Sequence, residues 1–548
     1  MKVINSRKLL VPILYFCSIF TLLAGEIEIK INKKYLNIPI SHQEDRHTMI
    51  FKTEGIKDLS VKVRLATDQP DYWVFKDVSD LQGKTITINY EGSDEGLSKI
   101  YQDDNIHGFE NIYHEKNRPQ FHFTTKRGWI NDPNGLVYYE GEYHLYYQHN
   151  PYEREWGNMH WGHAVSKDLI HWKELPVALS PDELGTMFSG SAIIDYQNSA
   201  GFNQGNTPAL IAAYTADSQE KQVQCIAYSL DKGLTFTKYE GNPVIDSKEI
   251  WNSKDTRDPK VFWYEPGDHW VMVLNERDGH SIYNSDDLKD WKYQSHTTGF
   301  WECPELFELP IDGDPNNTLW IMYGASGTYM LGDFDGKKFT PTAGKHLYTF
   351  GPIYAAQTYT NMEDGRRAQI GWGRISHPEM PFNGMMLLPT ELSLRNTNRG
   401  PRLFSEPVTE SEQLFSLIKE EQNLDAEKAN NLLKEFSDKT ELRIKTTIKL
   451  SHATGAGLNL FGQRIIDYDL NFNKINGVFY SPDDPTSMEV SADIYIDRTS
   501  IEVFIDNGAI SFAMSREASP DNTEGFHFWG NNIEIINLGV YEAQSIWK

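Results

Sequence analysis

Cysteine and positive charge are both scarce in this sequence. It has three cysteines in 548 residues, and the two that lie outside the N-terminal region, Cys225 and Cys303, cannot form a disulfide framework. Lys and Arg number 52 against 77 Asp and Glu, which gives a net charge of −25. Nucleic acids and anionic membranes bind basic faces. The sequence therefore predicts no nucleic-acid or membrane-surface partner and is compatible with a neutral substrate.

The N-terminus lacks the length and the flanking charge of a membrane span. Residues 9–24 are almost wholly apolar and follow a basic start at Lys2, Arg7 and Lys8. The run is short for a span, and no basic stop-transfer cluster follows it. This pattern is typical of an export signal, so we expect residues 1–24 to be a signal peptide. We then expect no transmembrane anchor after cleavage and a periplasmic or extracellular protein, with the oligomeric state left open.

Long helical periodicity is missing from most of the chain. Residues 60–65 and 84–90 alternate apolar and polar side chains at the period of a half-buried strand. Turn formers separate these segments. We predict a small N-terminal β module at residues 26–115, with packing or spacing as its role and carbohydrate binding as the alternative.

A loose repeat of a Ser/Asp turn closed by an aromatic residue marks the middle of the chain. It occurs at residues 166–172, 229–236 and 285–291, each time after an apolar strand. The interval of roughly 55 to 65 residues is the scale of a four-stranded propeller blade. The whole middle region, at under 300 residues, has room for about five such blades. We therefore predict a five-bladed β-propeller over residues 116–405.

The character of the chain changes once more after the predicted propeller. Residues 406–440 mix Leu and Ile with Glu and Lys, which favours a linker that contains a helix. Alternating strands return at residues 490–496 and 500–505. We predict a C-terminal β-sandwich at residues 441–548. The predicted fold class is thus all-β.

Three motifs in the predicted propeller each carry a carboxylate. They are Trp-Ile-Asn-Asp-Pro-Asn-Gly at 129–135, Asp-Thr-Arg-Asp-Pro-Lys at 255–260, and Trp-Glu-Cys-Pro-Glu-Leu-Phe at 301–307. Turn chemistry alone accounts for much of the first motif. The inner strands of all blades line one funnel, however, so Asp132, Asp258 and Glu302 are expected to converge. Three acids in one place are costly unless they are used.

Glycoside hydrolysis is a chemistry that requires such acids and needs neither a metal nor a cofactor. One carboxylate lies beneath the anomeric carbon and one protonated acid lies beside the leaving oxygen. Crowding of carboxylates raises the pKa of the least stabilised one and so creates the acid. We expect Arg257 to help keep the neighbouring Asp258 ionised. The faces of Trp129, Trp156, Trp301 and Trp372 are suited to stacking on sugar rings.

In this order the three motifs resemble glycoside hydrolase family 32, the invertases, inulinases, levanases and other β-fructosidases. The resemblance extends to Phe-Ser-Gly-Ser-Ala at 188–192, Tyr-Ala-Ala-Gln-Thr at 354–358, Gly-Trp-Gly-Arg at 371–374 and Ile-Asp-Arg-Thr-Ser-Ile-Glu-Val-Phe at 496–504. It implies a five-bladed propeller followed by a β-sandwich. One departure is Pro352, where members often carry an acidic residue.

The resemblance also implies roles for single residues. Asp132 is expected to be the nucleophile, Glu302 the acid and then the base, and Asp258 the stabiliser of the transition state. Glu305 is the alternative acid, and the motif favours Glu302. Configuration is expected to be retained, with the reacting carboxyls about 5 to 5.5 Å apart. The positions expected to line the fructosyl pocket are Asn131, Gln148, Trp156, Phe188, Ser189, Arg257, Tyr354 and Trp372.

The expected function is release of fructose from β-fructans, either levan or inulin, and from sucrose. A lectin that binds fructan without cleaving it is the alternative from another class, and the presence of all three acids favours the enzyme. Endo-acting cleavage and fructosyl transfer to a sugar remain open, as does the preferred linkage. A metal site at His160 and His163 is the weaker rival, because no third ligand accompanies the pair.

Overall fold

The computed structural model describes residues 25–247, 251–253, 255–450, 454–480, 488–516 and 525–547. The predicted signal peptide at residues 1–24 lies outside the described residues. Among the helices of the described part, none is long and apolar enough to cross a membrane. The helical segments are Asp94–Ser98 and Ala426–Lys434, with 3-10 turns at Ser79–Leu81, Phe109–Asn111, Glu265–Gly267 and Thr409–Leu414.

Five antiparallel four-stranded units, called blades 1 to 5 in chain order, form the centre of the molecule. The predicted five-bladed propeller is confirmed. A short strand, Phe382–Asn383, returns from blade 5 to pair with the first strand of blade 1. The strands are Gly128–Tyr139, Glu142–Asn150, His160–Ser166 and Trp172–Leu179 in blade 1; Thr186–Asp195, Ala209–Asp217, Gln222–Ser229 and Thr237–Lys238 in blade 2; Thr256–Tyr264, His269–Glu276, Gly279–Ser285 and Lys292–Thr298 in blade 3; Glu305–Ile311, Asp314–Tyr323, Thr328–Phe334 and Phe339–Leu347 in blade 4; and Ile353–Thr358, Ala368–Gly373, Thr390–Thr397 and Gly400–Pro407 in blade 5, with Met385–Met386 beside it.

The repeated Ser/Asp turn connects the third and fourth strands of blades 1 to 3. In blade 1 the Ser166 hydroxyl donates to the Asp168 carboxylate at 3.0 Å and accepts from the Asp168 backbone N–H at 3.1 Å. The same two hydrogen bonds recur between residues 229 and 231 and between residues 285 and 287. A side chain that satisfies its own turn needs no partner elsewhere, so the repeat is a structural device of the blade.

The C-terminal region is a sandwich of two sheets, as predicted from the returning strand pattern. Its facing sides share one apolar core that includes Ile494, Val503 and Leu538. The larger sheet also accepts Thr349–Phe350 from the propeller as a parallel edge strand. The strands are Phe415–Asp425, Leu442–Leu450, Glu489–Ile496, Ser500–Ile505, Ile510–Ser515 and Ile533–Ala543 in the larger sheet, and Gly455–Leu460, Gln463–Asp469, Lys474–Ile475, Val478–Phe479 and His527–Gly530 in the smaller one.

The segment 406–440 contains a helix, as predicted, but also a strand that the prediction did not include. Its largest element is the strand Phe415–Asp425, which pairs with Ile533–Ala543 as the edge of the larger sheet. The helix covers only the nine residues Ala426–Lys434, and the Asp425 side chain caps it by accepting from the Lys428 N–H. An edge strand with one solvent face tolerates many Glu and Lys side chains. The mixed composition of Phe415–Asp425 therefore did not distinguish a strand from a helix.

The N-terminal module contains two small sheets packed on an apolar core of their own. Tyr152 of blade 1 inserts into that core, with its ring centroid 5.9 Å from that of Phe51. The module is therefore joined to the propeller by packing. One sheet consists of Gly25–Lys30, Thr85–Tyr90, His47–Thr53 and Ile56–Val63, and the other of Tyr72–Asp77, Tyr35–Ile40 and Tyr101–Asp103.

Candidate active site

Asp132 lies on the first strand of blade 1, where the strand bulges. The register with the neighbouring strand shifts between Ile130 and Pro133, and such a bulge re-aims a side chain. The Asp132 carboxylate accepts a hydrogen bond from the Ser189 hydroxyl at 2.7 Å. Burial raises the pKa of Asp132 above its ordinary value, and the nearby Glu302 charge adds to this. Asp132 and Ser189 are thus brought together from blades 1 and 2.

Asp258 lies on the first strand of blade 3, also at a bulge. Its backbone adopts the left-handed conformation, with φ of 67°, and its N–H donates to the Thr215 hydroxyl at 3.0 Å. Its carboxylate accepts from the Cys303 N–H at 3.0 Å. Burial raises the pKa of Asp258 to about 7, against the opposing Arg257 charge and with help from the other two acids. The surroundings of this carboxyl therefore disfavour its ionised form.

Glu302 lies three residues before Glu305, where the first strand of blade 4 begins. It and Cys303 are both left-handed, with φ of 52° and 41°, and the Glu302 N–H donates to the Asn275 side-chain oxygen at 2.8 Å. Its two carboxylate oxygens accept from Arg257 Nη2 at 2.7 Å and from the Tyr354 hydroxyl at 2.5 Å. Two consecutive left-handed residues other than glycine are costly and persist where the surroundings enforce them. The turn aims this carboxylate at the other two acids.

Arg257 pairs with a different acid from the one expected. Its guanidinium lies 2.7 Å from Glu302 but 4.0 Å from Asp258. The reason is local, because the bulge and the left-handed conformation at Asp258 turn the two neighbouring side chains apart. Arg257 nevertheless lowers the pKa of Asp258, as expected, although burial outweighs this effect and leaves that pKa raised.

Cys303 lies between two of the acids, a position the sequence did not indicate. Its sulfur is 3.7 Å from the Asp132 carboxylate and 3.6 Å from that of Asp258. Burial, followed by the surrounding carboxylates, raises the pKa of this thiol well above its ordinary value. Cys303 therefore stays protonated and serves as a weak donor to both acids. The signal available in the sequence was its place directly after Glu302.

Glu305, the alternative acid, points away from the funnel. Its carboxylate pairs with the buried Lys260 ammonium at 2.7 Å and accepts from the Thr358 hydroxyl at 2.6 Å. Both charged side chains of this pair are almost completely buried. A carboxylate engaged in this way is a structural partner and has no free face for a substrate.

Several of the predicted pocket aromatics contact one another, and Tyr354 among them reaches the acid Glu302. Trp156 is 53% exposed and its ring meets that of Phe188 edge-on at 5.9 Å. Trp372 meets Trp129 at 5.8 Å and Tyr354 at 6.4 Å in the same manner. Exposed, edge-supported rings are suited to stacking on the apolar face of a sugar.

Two amides lie deeper beside the nucleophile candidate. Asn131 is buried, accepts from the Trp129 indole N–H at 2.7 Å and hydrogen-bonds to Asp132. Gln148 is buried and donates to the Met187 carbonyl at 2.8 Å. Gln148 thus links blade 1 to blade 2, whereas the contacts of Asn131 lie within blade 1.

His160 and His163, the two histidines of the alternative metal site, lie inside blade 1 and contact different groups. His160 Nδ1 is within hydrogen-bonding distance of the Asn158 carbonyl, at 2.5 Å, and His163 contacts His144 at 3.1 Å. Burial lowers the pKa of His160 to about 3. Within the described ranges no three His, Cys, Asp or Glu side chains are grouped so as to hold a metal ion.

The family model of the glycosyl hydrolases family 32 N-terminal domain matches residues 122–407, which span the propeller. The chain belongs to glycoside hydrolase family 32. A levanase of Bacillus subtilis is 38% identical over 494 residues, covering 79% of this chain and 72% of that protein. The extracellular exo-inulinase of Aspergillus niger is 33% identical over 523 residues, covering 80% and 96% respectively.

Solved structures agree with the sequence comparison. The crystal structure of exo-inulinase from Aspergillus awamori superimposes with a TM-score of 0.68 at 29% identity, covering 79% of this chain and 100% of that one. The family 32 protein described here is therefore a glycoside hydrolase of the β-fructofuranosidase class. Residues 25–121, which include the N-terminal module, lie outside the match to the family model.

Proposed function

We propose that this family 32 enzyme hydrolyses β-fructans and sucrose, releasing fructose with retained configuration. The observation that carries the proposal is the meeting of Asp132, Asp258 and Glu302, from three different blades, around Cys303. The similar proteins named levanase, exo-inulinase and invertase support fructosyl substrates. The extracellular exo-inulinase supports export, which N-terminal sequencing of the mature protein would test.

In the first step Asp132 attacks the anomeric carbon of the fructosyl unit while Glu302 gives its proton to the leaving oxygen. The glycosidic bond breaks as an ester forms between the fructosyl carbon and Asp132. The Ser189 hydroxyl holds the attacking carboxylate in place. Tyr354 and Arg257 orient Glu302, because each donates a hydrogen bond to one of its two carboxylate oxygens.

In the second step Glu302, now ionised, takes a proton from water, and the water oxygen attacks the same carbon. The ester breaks, fructose leaves and Asp132 is regenerated as a carboxylate. Asp258 hydrogen-bonds to the fructosyl hydroxyls, an interaction that strengthens as positive charge develops on the ring. The Cys303 N–H holds this carboxylate through a hydrogen bond of 3.0 Å.

A time course of products from levan and, separately, from inulin tests the substrate and the mode of attack. We expect fructose alone from the earliest time point, because exo attack removes terminal units. Oligosaccharides that appear first would show endo attack instead. The absence of release from levan, inulin and sucrose would refute hydrolysis and return the chain to the lectin alternative.

The retaining mechanism has its own test. In the presence of methanol, breakdown of the fructosyl ester gives a methyl fructoside whose configuration is read by NMR. We expect the β-anomer, the configuration of the substrate. The α-anomer would require direct displacement by methanol and would remove the nucleophilic role from Asp132.

A further inference from the structure

The loop that carries Trp156 is held by the N-terminal module. This loop, residues 151–159, connects the second and third strands of blade 1 and contains the most exposed aromatic ring of the predicted pocket. An exposed ring has few packing contacts of its own to fix it. The position of Trp156 therefore depends on how the loop backbone is anchored.

Two arginines of the module clamp the two glutamates that precede Trp156. Arg46 donates to Glu153 at 2.6 Å and to Glu155 at 3.0 Å. Arg64 lies 3.3 Å from Glu153 and donates to Glu155 at 3.0 Å. The Glu153 side chain is completely buried, whereas that of Glu155 is 46% exposed. Four charges thus meet on the loop segment that directly precedes Trp156 in the sequence.

Hydrogen bonds that involve backbone groups also join this loop to the N-terminal module. Asn158 accepts from the Lys62 N–H and donates to the Lys62 carbonyl, both at 2.8 Å. Lys62 belongs to Ile56–Val63, the edge strand of the module sheet, so the Asn158 amide occupies the place of a neighbouring strand. The Arg154 N–H donates to the Tyr72 hydroxyl at 3.2 Å.

We propose that the N-terminal module is a positioning element of the substrate site, acting through Arg46 and Arg64 on Trp156. The inference rests on the proposed function, because it assigns Trp156 to the fructosyl-binding wall. It makes the module a determinant of affinity for the sugar ring, in contrast to a spacer or an independent sugar-binding domain. Arg46 and Arg64 themselves touch no reacting group and act only by fixing the loop.

The physical reason is the burial of Glu153. Burial raises its pKa, and the two arginines oppose that effect. One of its oxygens has no hydrogen-bond partner among the described residues, so the remaining contacts to Arg46 and Arg64 are needed. A buried carboxylate without its cations is strongly unfavourable. Loss of the arginines is expected to expel Glu153 toward solvent and to displace the loop with Trp156.

The test is the double variant Arg46→Gln/Arg64→Gln, assayed for fructose release. We expect KM to rise about tenfold while kcat changes less than about twofold, because a binding wall is lost and the acids are untouched. In a Trp156→Ala background the same double variant is expected to add nothing further to KM. Additive effects in this cycle would overturn the proposal, because they would show that the arginines act without Trp156.

The matched control is Lys33→Gln. It removes an ion pair with Asp104 that lies wholly within the module, with both side chains exposed, so KM should stay unchanged. Asn158→Ala serves where the double variant does not fold, since it removes both hydrogen bonds to Lys62, and one to Asn150, without stranding a buried charge. It too should raise KM and speed amide hydrogen exchange in residues 151–159. Unchanged exchange and KM in this variant would refute the clamp.

Calorimetric binding separates this inference from the proposed function. The affinity of a fructo-oligosaccharide is measured in an Asp132→Asn background, with and without the two arginine substitutions. Weaker binding by about tenfold is expected when the clamp is removed. A wild-type enzyme without fructose release would refute the proposed hydrolysis, while the clamp would still be judged by this affinity. Equal affinities would refute the clamp and leave the hydrolysis intact.

Discussion

Two clusters of buried carboxylates differ in how their charge is compensated. In the funnel, Asp132, Asp258 and Glu302 share one nearby cation, Arg257. Between the propeller and the sandwich, His122 lies between two acids, 2.8 Å from Asp497 on one ring nitrogen and 2.5 Å from Glu502 on the other. The first cluster has an excess of negative charge, whereas the second contains a cation held from both sides.

The titration of the two clusters follows from this difference. In the funnel, burial raises the pKa of Asp258 to about 7. Between the propeller and the sandwich, burial also acts to raise the pKa of Asp497. There, however, His122 and backbone N–H donors hold that pKa below its ordinary value. Burial lowers the pKa of His122, yet its two acids raise it to about 9. An uncompensated cluster is tolerated where chemistry uses it, whereas a compensated one serves stability.

The largest effect is expected from removing a funnel acid. Asp132→Asn and Glu302→Gln should each lower kcat at least about a thousandfold, because the nucleophile or the acid is lost. The midpoint of thermal unfolding should stay the same or rise, since repulsion between carboxylates is relieved.

The control for this prediction is Glu305→Gln. It removes the partner of buried Lys260 and should lower stability more than the chemical rate in the folded enzyme. Near-normal turnover in Glu302→Gln, together with loss of turnover in folded Glu305→Gln, would show that the acid is assigned to the wrong residue.

The second-largest effect is expected from the His122 cluster between the propeller and the sandwich. Asp497→Asn should lower the free energy of unfolding by about 3 to 5 kcal/mol, because it breaks a completely buried ion pair and removes acceptors from the Gln120 and Phe121 N–H groups. Turnover by the folded variant should remain normal. Denaturant titration followed by an activity assay measures both.

An exposed pair of the same kind provides the comparison. His296 and Asp278 lie 3.0 Å apart, with the Asp278 side chain 67% exposed. Asp278→Asn should have a much smaller effect on unfolding, since solvent screens the pair. Equal losses in both variants would show that burial does not decide the strength of the His122 cluster.

The stabilising effect of His122 should depend on pH in a defined direction. Its folded-state pKa of about 9 is higher than the ordinary value of 6.5. Its contribution is therefore fully present below about pH 6.5 and is lost as the pH rises through about 9. The difference in unfolding free energy between wild type and His122→Gln should shrink over this range. A difference that grows with pH would contradict the charged state assigned to His122.

The smallest effect is expected from Asn275, which positions Glu302 by accepting its N–H. Asn275→Ala should lower kcat/KM about tenfold, mainly through kcat, and shift the basic limb of the pH profile, because the left-handed turn at Glu302 loosens. Asn284→Ala is the control, since this buried Asn of the same blade donates to the Gly336 carbonyl instead. A pH profile unchanged in Asn275→Ala would reduce Asn275 to a packing residue.

Much of the fold was predictable because its signals are local. Period-two alternation and the self-satisfied turn at Ser166 and Asp168 act within a few residues, so the blades could be recognised from the sequence. The three acid motifs were visible for the same reason. The strand Phe415–Asp425 was missed because its place at a sheet edge depends on Ile533–Ala543, more than a hundred residues away.

The sequence by itself determined the all-β class, the blade repeat and the residue types of the site, since turn chemistry and alternation are properties of short segments. Only the tertiary structure decided which acid Arg257 pairs with, which way Glu305 points and where His122 finds its two acids, 375 and 380 residues along the chain. These contacts depend on bulges, left-handed residues and the packing of whole domains. Such features orient side chains through neighbours that sequence distance does not reveal.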